Sequence, residues 1–257
     1  MSRALITGAS GGIGEELARL FAADRWNLVL VARSKSRLES LASEMASKHG
    51  IQARALAIDL AAPGAAEGLH AELASENVQV DALVNNAGFT VHGRFAETEW
   101  SNEAAMLQVN VIALTALTKL FVRDMLARRS GRILNVASTA AFAPGPMMAV
   151  YYASKAYVLS FSRALADELR GSGVTVTVLC PGPTRTGFAQ RGGVEETPLF
   201  RGPVMDARTV AKAGYRGMLR GRPLVVPGVR NRLQTMAMRK LPTAVITRAV
   251  RRAHDRG

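Results

Sequence analysis

The chain has 257 residues, 48% of them hydrophobic and 21% charged, with a formal net charge of +13. That length suits one large α/β domain or two small ones, and that composition excludes a disordered or fibrous chain. The only cysteine, Cys180, excludes an internal disulfide framework and leads us to expect a reducing, cytoplasmic setting.

In chain order, Ala4-Leu5-Ile6 starts a first strand; three apolar residues before Thr7-Gly8 are too few for a signal-peptide core. A glycine-rich turn follows, then a helical pattern over residues 15–23. Apolar runs at 28–31, 55–58, 82–84, 133–136, 174–179 and 224–226 read as six further strands, short and often β-branched. Helical patterns at 36–49, 65–75, 103–129 and 152–170 lie between them. Such alternation predicts a doubly wound, predominantly parallel seven-stranded sheet with helices on both faces. Residues 133–154 are uncharged over a membrane-span length, but Pro144-Gly145-Pro146 in their middle makes them a strand, a loop and a helix start. The Gly- and Pro-rich residues 187–203 read as a surface loop, a substrate lid by position. We take 1–228 as one catalytic domain and 229–257 as a C-terminal extension.

The first turn reads Thr7-Gly8-Ala9-Ser10-Gly11-Gly12-Ile13-Gly14. Glycines there let a pyrophosphate approach backbone N–H groups at a helix N-terminus. The spacing is G-x-x-x-G-x-G, not the usual dinucleotide fingerprint, so position at the first strand–helix junction carries the reading. At the end of the second strand an NAD site places a carboxylate on the ribose 2′-hydroxyl. Here the chain reads Val31-Ala32-Arg33-Ser34. A missing acid and a present guanidinium favour the 2′-phosphate of NADP(H).

Tyr151 and Lys155 stand four apart at a helix start and share a face. Tyr152 points about 100° away. A free tyrosine releases its proton near pH 10, and a neighbouring ammonium should lower that value. The pair would then be a general acid for ketone reduction, or a general base for alcohol oxidation. Ser138 follows a strand end, where it can donate to a developing alkoxide. His92 is either a surface histidine or a pocket residue, and Cys180 reads as a buried small hydrophobe.

The glycine turn, Asn85-Asn86-Ala87-Gly88, Asn110, Ser138, Tyr151-x-x-x-Lys155 and Pro181-Gly182 occur in one order over residues 3–190. In order and spacing they resemble the short-chain dehydrogenase/reductase family, in its NADP(H)-preferring form. The resemblance implies a Rossmann fold and a carbonyl/alcohol oxidoreductase with Asn110, Ser138, Tyr151 and Lys155 as catalytic residues. It implies that Lys155 also holds the nicotinamide ribose and that Asn110 fixes a proton-relay water. Cofactor contacts implied are Gly8, Ser10, Gly11, Gly12, Ile13, Gly14, Arg33, Asp59, Leu60, Asn86, Ala87, Gly88, Pro181, Gly182 and Thr184, with Tyr151 and Lys155. Asn86 could equally serve the sheet alone. A homodimer or homotetramer through helices 103–129 and 152–170 is also implied. A non-catalytic NADPH-binding regulator is the other reading.

Phe89, Phe142, Met147, Met148 and Phe188 adjoin these motifs and suggest an apolar substrate pocket. From residue 201 onward, 14 Lys or Arg face only Asp206 and Asp255, a net of +12. Val229, Leu233 and Met236 share a helical face, as do Val245, Ala249, Ile246 and Val250. The stripe could simply pack on the body. Peripheral membrane contact, a cap over an anionic acyl substrate and non-specific nucleic-acid binding are the alternatives, nucleic acid being the least favoured.

Overall fold

The computed structural model describes residues 1–202 and 204–254. The first half runs β1 (Arg3–Thr7), α1 (Gly12–Ala23), β2 (Asn27–Ala32), α2 (Lys35–His49), β3 (Ala53–Ala57), α3 (Ala65–Ser75) and β4 (Ala82–Asn85). One long helix follows as α4 (Trp100–Leu107), a π-helical stretch (Gln108–Ala113) and α5 (Leu114–Ala127). Next come β5 (Gly131–Val136), a 3₁₀ turn (Thr139–Phe142), α6 (Ala149–Glu168) and β6 (Val174–Leu179). The remainder is β7 (Thr184–Arg185), α7 (Gly187–Arg191), α8 (Pro198–Arg201), β8 (Met205–Asp206), α9 (Ala207–Leu219), β9 (Leu224–Val225), α10 (Val229–Met238) and α11 (Thr243–His254).

Seven strands form one parallel sheet in the order β3-β2-β1-β4-β5-β6-β9. Alternation within each strand feeds two cores. Ile6, Leu28 and Leu30 meet α1, α2 and α9 through Phe21, Met45 and Met218. Leu5, Val29 and Ile133 meet α3 and α5 through Leu69, Phe121 and Met125. The fold is thus a Rossmann-type sheet covered on both faces. The run Trp100–Ala127 is long and apolar enough to cross a membrane by length and composition alone, yet its Leu117, Phe121 and Met125 are buried under the sheet.

Four regions depart from expectation. Residues 187–203 were expected as a surface loop; they hold α7 and α8, anchored by buried Ala189, Val194 and Thr197. Helices this short span too few residues for a readable period, and Pro203 lies outside the described residues. Helix α9 was not among the expected helices, although Val210, Ala211, Tyr215 and Met218 recur at helical spacing on its buried face, with Gly214 and Gly217 between them. A Cβ at Gly214 would lie 2.7 Å from Leu179, and one at Gly217 would lie 2.3 Å from Val225. Helix α10 inverts the expected stripe: Asn231 and Thr235 are buried, while Val229, Leu233 and Met236 face outward. In α11 the buried line is Ile246, Val250 and His254, with Val245 and Ala249 exposed. Residues 255–257 of the expected extension lie outside the described residues.

A polar thread crosses the second core. Asn85 donates to Thr118 and to Asn135 Oδ1, each at 2.9 Å, and Asn135 Nδ2 donates to Ser162 at 2.9 Å. Replacing Asn135 by Ala removes the partner of one Asn85 N–H and of the buried Ser162 hydroxyl. We expect a loss of roughly 2 kcal/mol and a melting temperature lower by about 5 °C, read by chemical and thermal unfolding. An unchanged midpoint would show that the thread adds nothing to stability.

Candidate active site

Chain order reverses between β1 and β4, and a cleft of about 1410 Å³ opens at the carboxyl ends of the strands there. Thr7 Oγ1 donates to Val84 O (3.3 Å) and accepts the N–H groups of Asn86 and Ala87 (3.0 Å each). Asn86 Nδ2 donates to the carbonyls of Thr7 (3.0 Å) and Gly8 (3.2 Å). Asn86 therefore braces the glycine turn as well as lining the cleft. Gly8, Ser10, Gly11, Gly12 and Ile13 line it too, at the N-terminus of α1. Gly14 does not; a Cβ there would lie 2.3 Å from Gly8 O, so glycine lets helix and turn touch.

Arg33, Asp59 and Leu60 line the end of the cleft beside β2 and β3. Arg37, on the first turn of α2, joins them. Sequence reasoning missed it, although it stands four residues beyond Arg33. Glu15 and Glu44 also reach this end, but Arg19 binds both. That contact holds the Glu44 carboxyl below its usual range and the guanidinium above its own. The two exposed arginines are thus left as the positive groups of this end. A helix N-terminus with a glycine at its cap, an open turn and the guanidinium groups of Arg33 and Arg37 fit a dinucleotide.

Tyr151 and Lys155 lie on the opening turns of α6, both buried. Lys155 Nζ donates to Val136 O at 3.1 Å and stands 5.8 Å from the Tyr151 ring centre. Ser138 begins the 3₁₀ turn, its Oγ accepting from Ala140 N (3.1 Å) and donating to Pro181 O (3.4 Å). Burial pushes the Tyr151 phenol up to about 12, with the Ser138 hydroxyl pulling the other way. Burial lowers Lys155 to about 8, opposed by Cys180. The expected lowering of Tyr151 by its ammonium neighbour is not observed: desolvation sets the direction, and the opposing pull comes from Ser138. At neutral pH the phenol keeps its proton.

Asn110 does not line the cleft. It sits fully buried in the π-helical stretch, and its amide exchanges hydrogen bonds with the Phe89 backbone (3.0 and 3.1 Å) and donates to Ser154 at 3.2 Å. A Cβ at Gly88 would lie 2.9 Å from Asn110 Oδ1 and 3.3 Å from Lys155 Nζ. Asn110 thus fixes the Gly88–Phe89 segment beside the lysine. The π-turn that places it leaves no periodic signal in sequence.

Pro181, Gly182 and Thr184 border the centre, with Thr184 Oγ1 donating to Gly182 O at 2.8 Å. Beyond them Met148, Phe188, Leu199, Phe200, Met238 and Val250 make an apolar end. Phe89 lines the cleft; Phe142 and Met147 do not. Phe142 lies under the Arg239 guanidinium, and Met147 takes a left-handed backbone with φ 70°. Cys180 is buried, its thiol pushed up to about 12 by desolvation, so it is unreactive.

Helix α11 closes this end. Burial lowers His254 to about 4, so the imidazole is neutral, and its Nε2 shares a hydrogen bond with the Tyr152 hydroxyl at 2.7 Å. His92 donates to His254 O at 3.0 Å. His92 therefore secures the C-terminal helix instead of lining the cleft. Nothing in the spacing of Tyr152 and His254, 102 residues apart, announced their contact.

The family model for the short chain dehydrogenase matches residues 2–196. A very-long-chain 3-oxoacyl-CoA reductase from Phaeosphaeria nodorum is 38% identical over 177 residues, 67% of this chain and 52% of its own. The chain spans about half the length of such curated relatives. A short-chain dehydrogenase from Sphingobium yanoikuyae in complex with NADPH superimposes with TM-score 0.83 at 31% identity, covering 95% of this chain and 98% of that one. The bulky-bulky ketone specific alcohol dehydrogenase from Comamonas testosteroni does so with TM-score 0.79 at 28% identity, covering 95% and 96%.

Replacing Tyr152 by Phe removes the bond to His254. Amide exchange over 243–254 should then accelerate about tenfold, the worth of one buried hydrogen bond. Exchange unchanged from wild type would show that the pair does not hold α11.

Proposed function

Because the chain belongs to the short-chain dehydrogenase family, we propose that it interconverts a bulky, apolar carbonyl compound and its alcohol with NADP(H). The observation that carries this is the single cleft joining Arg33 and Arg37, Tyr151 with Lys155, and a broad apolar end. The bound nicotinamide would supply or accept the hydride. Gly8, Ser10, Gly11, Gly12 and Ile13 would hold the pyrophosphate, Arg33 and Arg37 the 2′-phosphate. Asp59 and Leu60 would border the adenine, Asn86 to Gly88 its ribose, and Pro181, Gly182 and Thr184 the nicotinamide.

Tyr151 keeps its proton because its site is dry, so it stands ready to protonate an alkoxide as that charge develops. Ser138 supplies a second donor there. Lys155, charged near neutral pH, favours the phenolate left after transfer. Asn110 keeps Gly88 and Phe89 seated against that lysine. The apolar end and the ketone- and acyl-reducing relatives support a large hydrophobic substrate. A homodimer or homotetramer through α5 and α6 belongs to the same reading, supported by exposed Ile112 and Tyr157.

Tyr151→Phe should lower kcat for ketone reduction by at least about 10³-fold while NADPH binding persists. Wild-type reduction should hold level near neutral pH and fall as pH rises through about 8, where Lys155 loses its charge. A Phe variant with wild-type turnover would remove the tyrosine from the chemistry, and an inactive wild type with bound NADPH would support a regulator instead.

Arg33→Ala with Arg37→Ala should weaken NADPH by roughly 10- to 100-fold and leave NADH within a few-fold. Equal losses for both nucleotides, by titration calorimetry, would sink the 2′-phosphate assignment.

A further inference from the structure

Helix α10 is built the wrong way round for a helix resting on a protein core. Its two buried residues are polar and satisfied: Asn231 Nδ2 donates to Pro227 O at 2.8 Å and Thr235 Oγ1 to Arg232 O at 2.9 Å. Its outward stripe is apolar, with Val229 70%, Leu233 63% and Met236 59% exposed. Leu241 and Val245, at the entry to α11, are exposed as well. Arg230, Arg248, Arg251 and Arg252 on these two helices and Lys240 between them are exposed, and no ion pair engages any of them among the described residues. Residues 207–254 hold twelve Lys or Arg and no Asp or Glu.

We propose that α10 and α11 dock the protein on an anionic lipid surface. An apolar stripe set among cations matches the boundary between acidic headgroups and acyl chains. A second copy fits poorly, since pairing this face with itself brings like charges together. A polyanion without an apolar layer leaves Val229, Leu233 and Met236 uncovered. The same helices form the apolar end of the cleft, through Met238 and Gln234 of α10 and Ala249, Val250 and Ala253 of α11. The docked surface and the substrate end are thus two sides of one thin wall, so a lipid-dissolved carbonyl is delivered beside the site. This last step rests on the substrate class proposed above; the docking does not.

The test uses the full chain and sedimentation with phosphatidylcholine vesicles, with and without phosphatidylserine. Binding is expected only with phosphatidylserine and should be released by high salt. Replacing Arg230, Lys240 and Arg248 together by Gln should lower vesicle partitioning roughly 100-fold, and Leu233→Asp about tenfold. All variants should keep wild-type NADPH-dependent turnover of a water-soluble ketone. Docking is overturned by equal binding to both vesicles, by no binding, or by variants that bind as wild type. It is also overturned if Leu233→Asp only splits a dimer in light scattering, or if a soluble acidic carrier protein binds more tightly than vesicles. Binding is read without substrate, so failure of the proposed chemistry shows as absent turnover with docking intact.

Discussion

The Thr7–Asn86 clamp is the constraint on which the rest of the site depends. Strands β1 and β4 are neighbours whose following segments leave toward opposite faces of the sheet. A crevice is unavoidable at such a reversal, but its shape is not. The Thr7 hydroxyl ties down two backbone N–H groups of the β4 loop, and the Asn86 amide ties down two carbonyls of the β1 turn. With those carbonyls occupied, the turn offers the opening N–H groups of α1 as its polar edge. The helix dipole has the same sign there, so geometry and field agree on an anion.

The clamp also sets the position of the next segment, Gly88–Phe89, which Asn110 then grips from below. That grip comes from a π-turn inside the helix Trp100–Ala127, and it brings an amide oxygen close to the buried ammonium of Lys155. Burial is costly for both Lys155 and Tyr151, and both respond by favouring their neutral forms. For the tyrosine that means a retained proton; for the lysine it means a charge that is easily lost.

The sheet was legible because its strands are apolar on both faces and are separated by long amphipathic helices. Ordered motifs brought Ser138, Tyr151 and Lys155 to one cleft, and the glycine turn to its rim. What could not be read had a physical reason in each case. Arg37 reads as an ordinary helix-surface charge until α2 turns it toward the cleft. Asn110 was named from spacing, but its place behind the cleft depends on a helical irregularity. The Tyr152–His254 bond joins distant segments of the chain. The direction of the Tyr151 shift was misjudged because a pairwise charge is visible in spacing, whereas desolvation is a property of the whole fold.

The C-terminal helices show how far composition alone can carry. A basic amphipathic pattern is the same string of letters whether its apolar side faces the protein or the solvent. The two helices make opposite choices: α11 turns Ile246, Val250 and His254 inward, and α10 turns Asn231 and Thr235 inward. Burying a Val, Leu or Met side chain is worth about 1.5–3 kcal/mol. Leaving Val229, Leu233 and Met236 in water therefore forgoes stability that rotating the helix face would have recovered. Crowding twelve cations into residues 207–254 without a carboxylate adds self-repulsion to that cost. An acidic, partly apolar surface relieves both at once, which water and simple counterions cannot do.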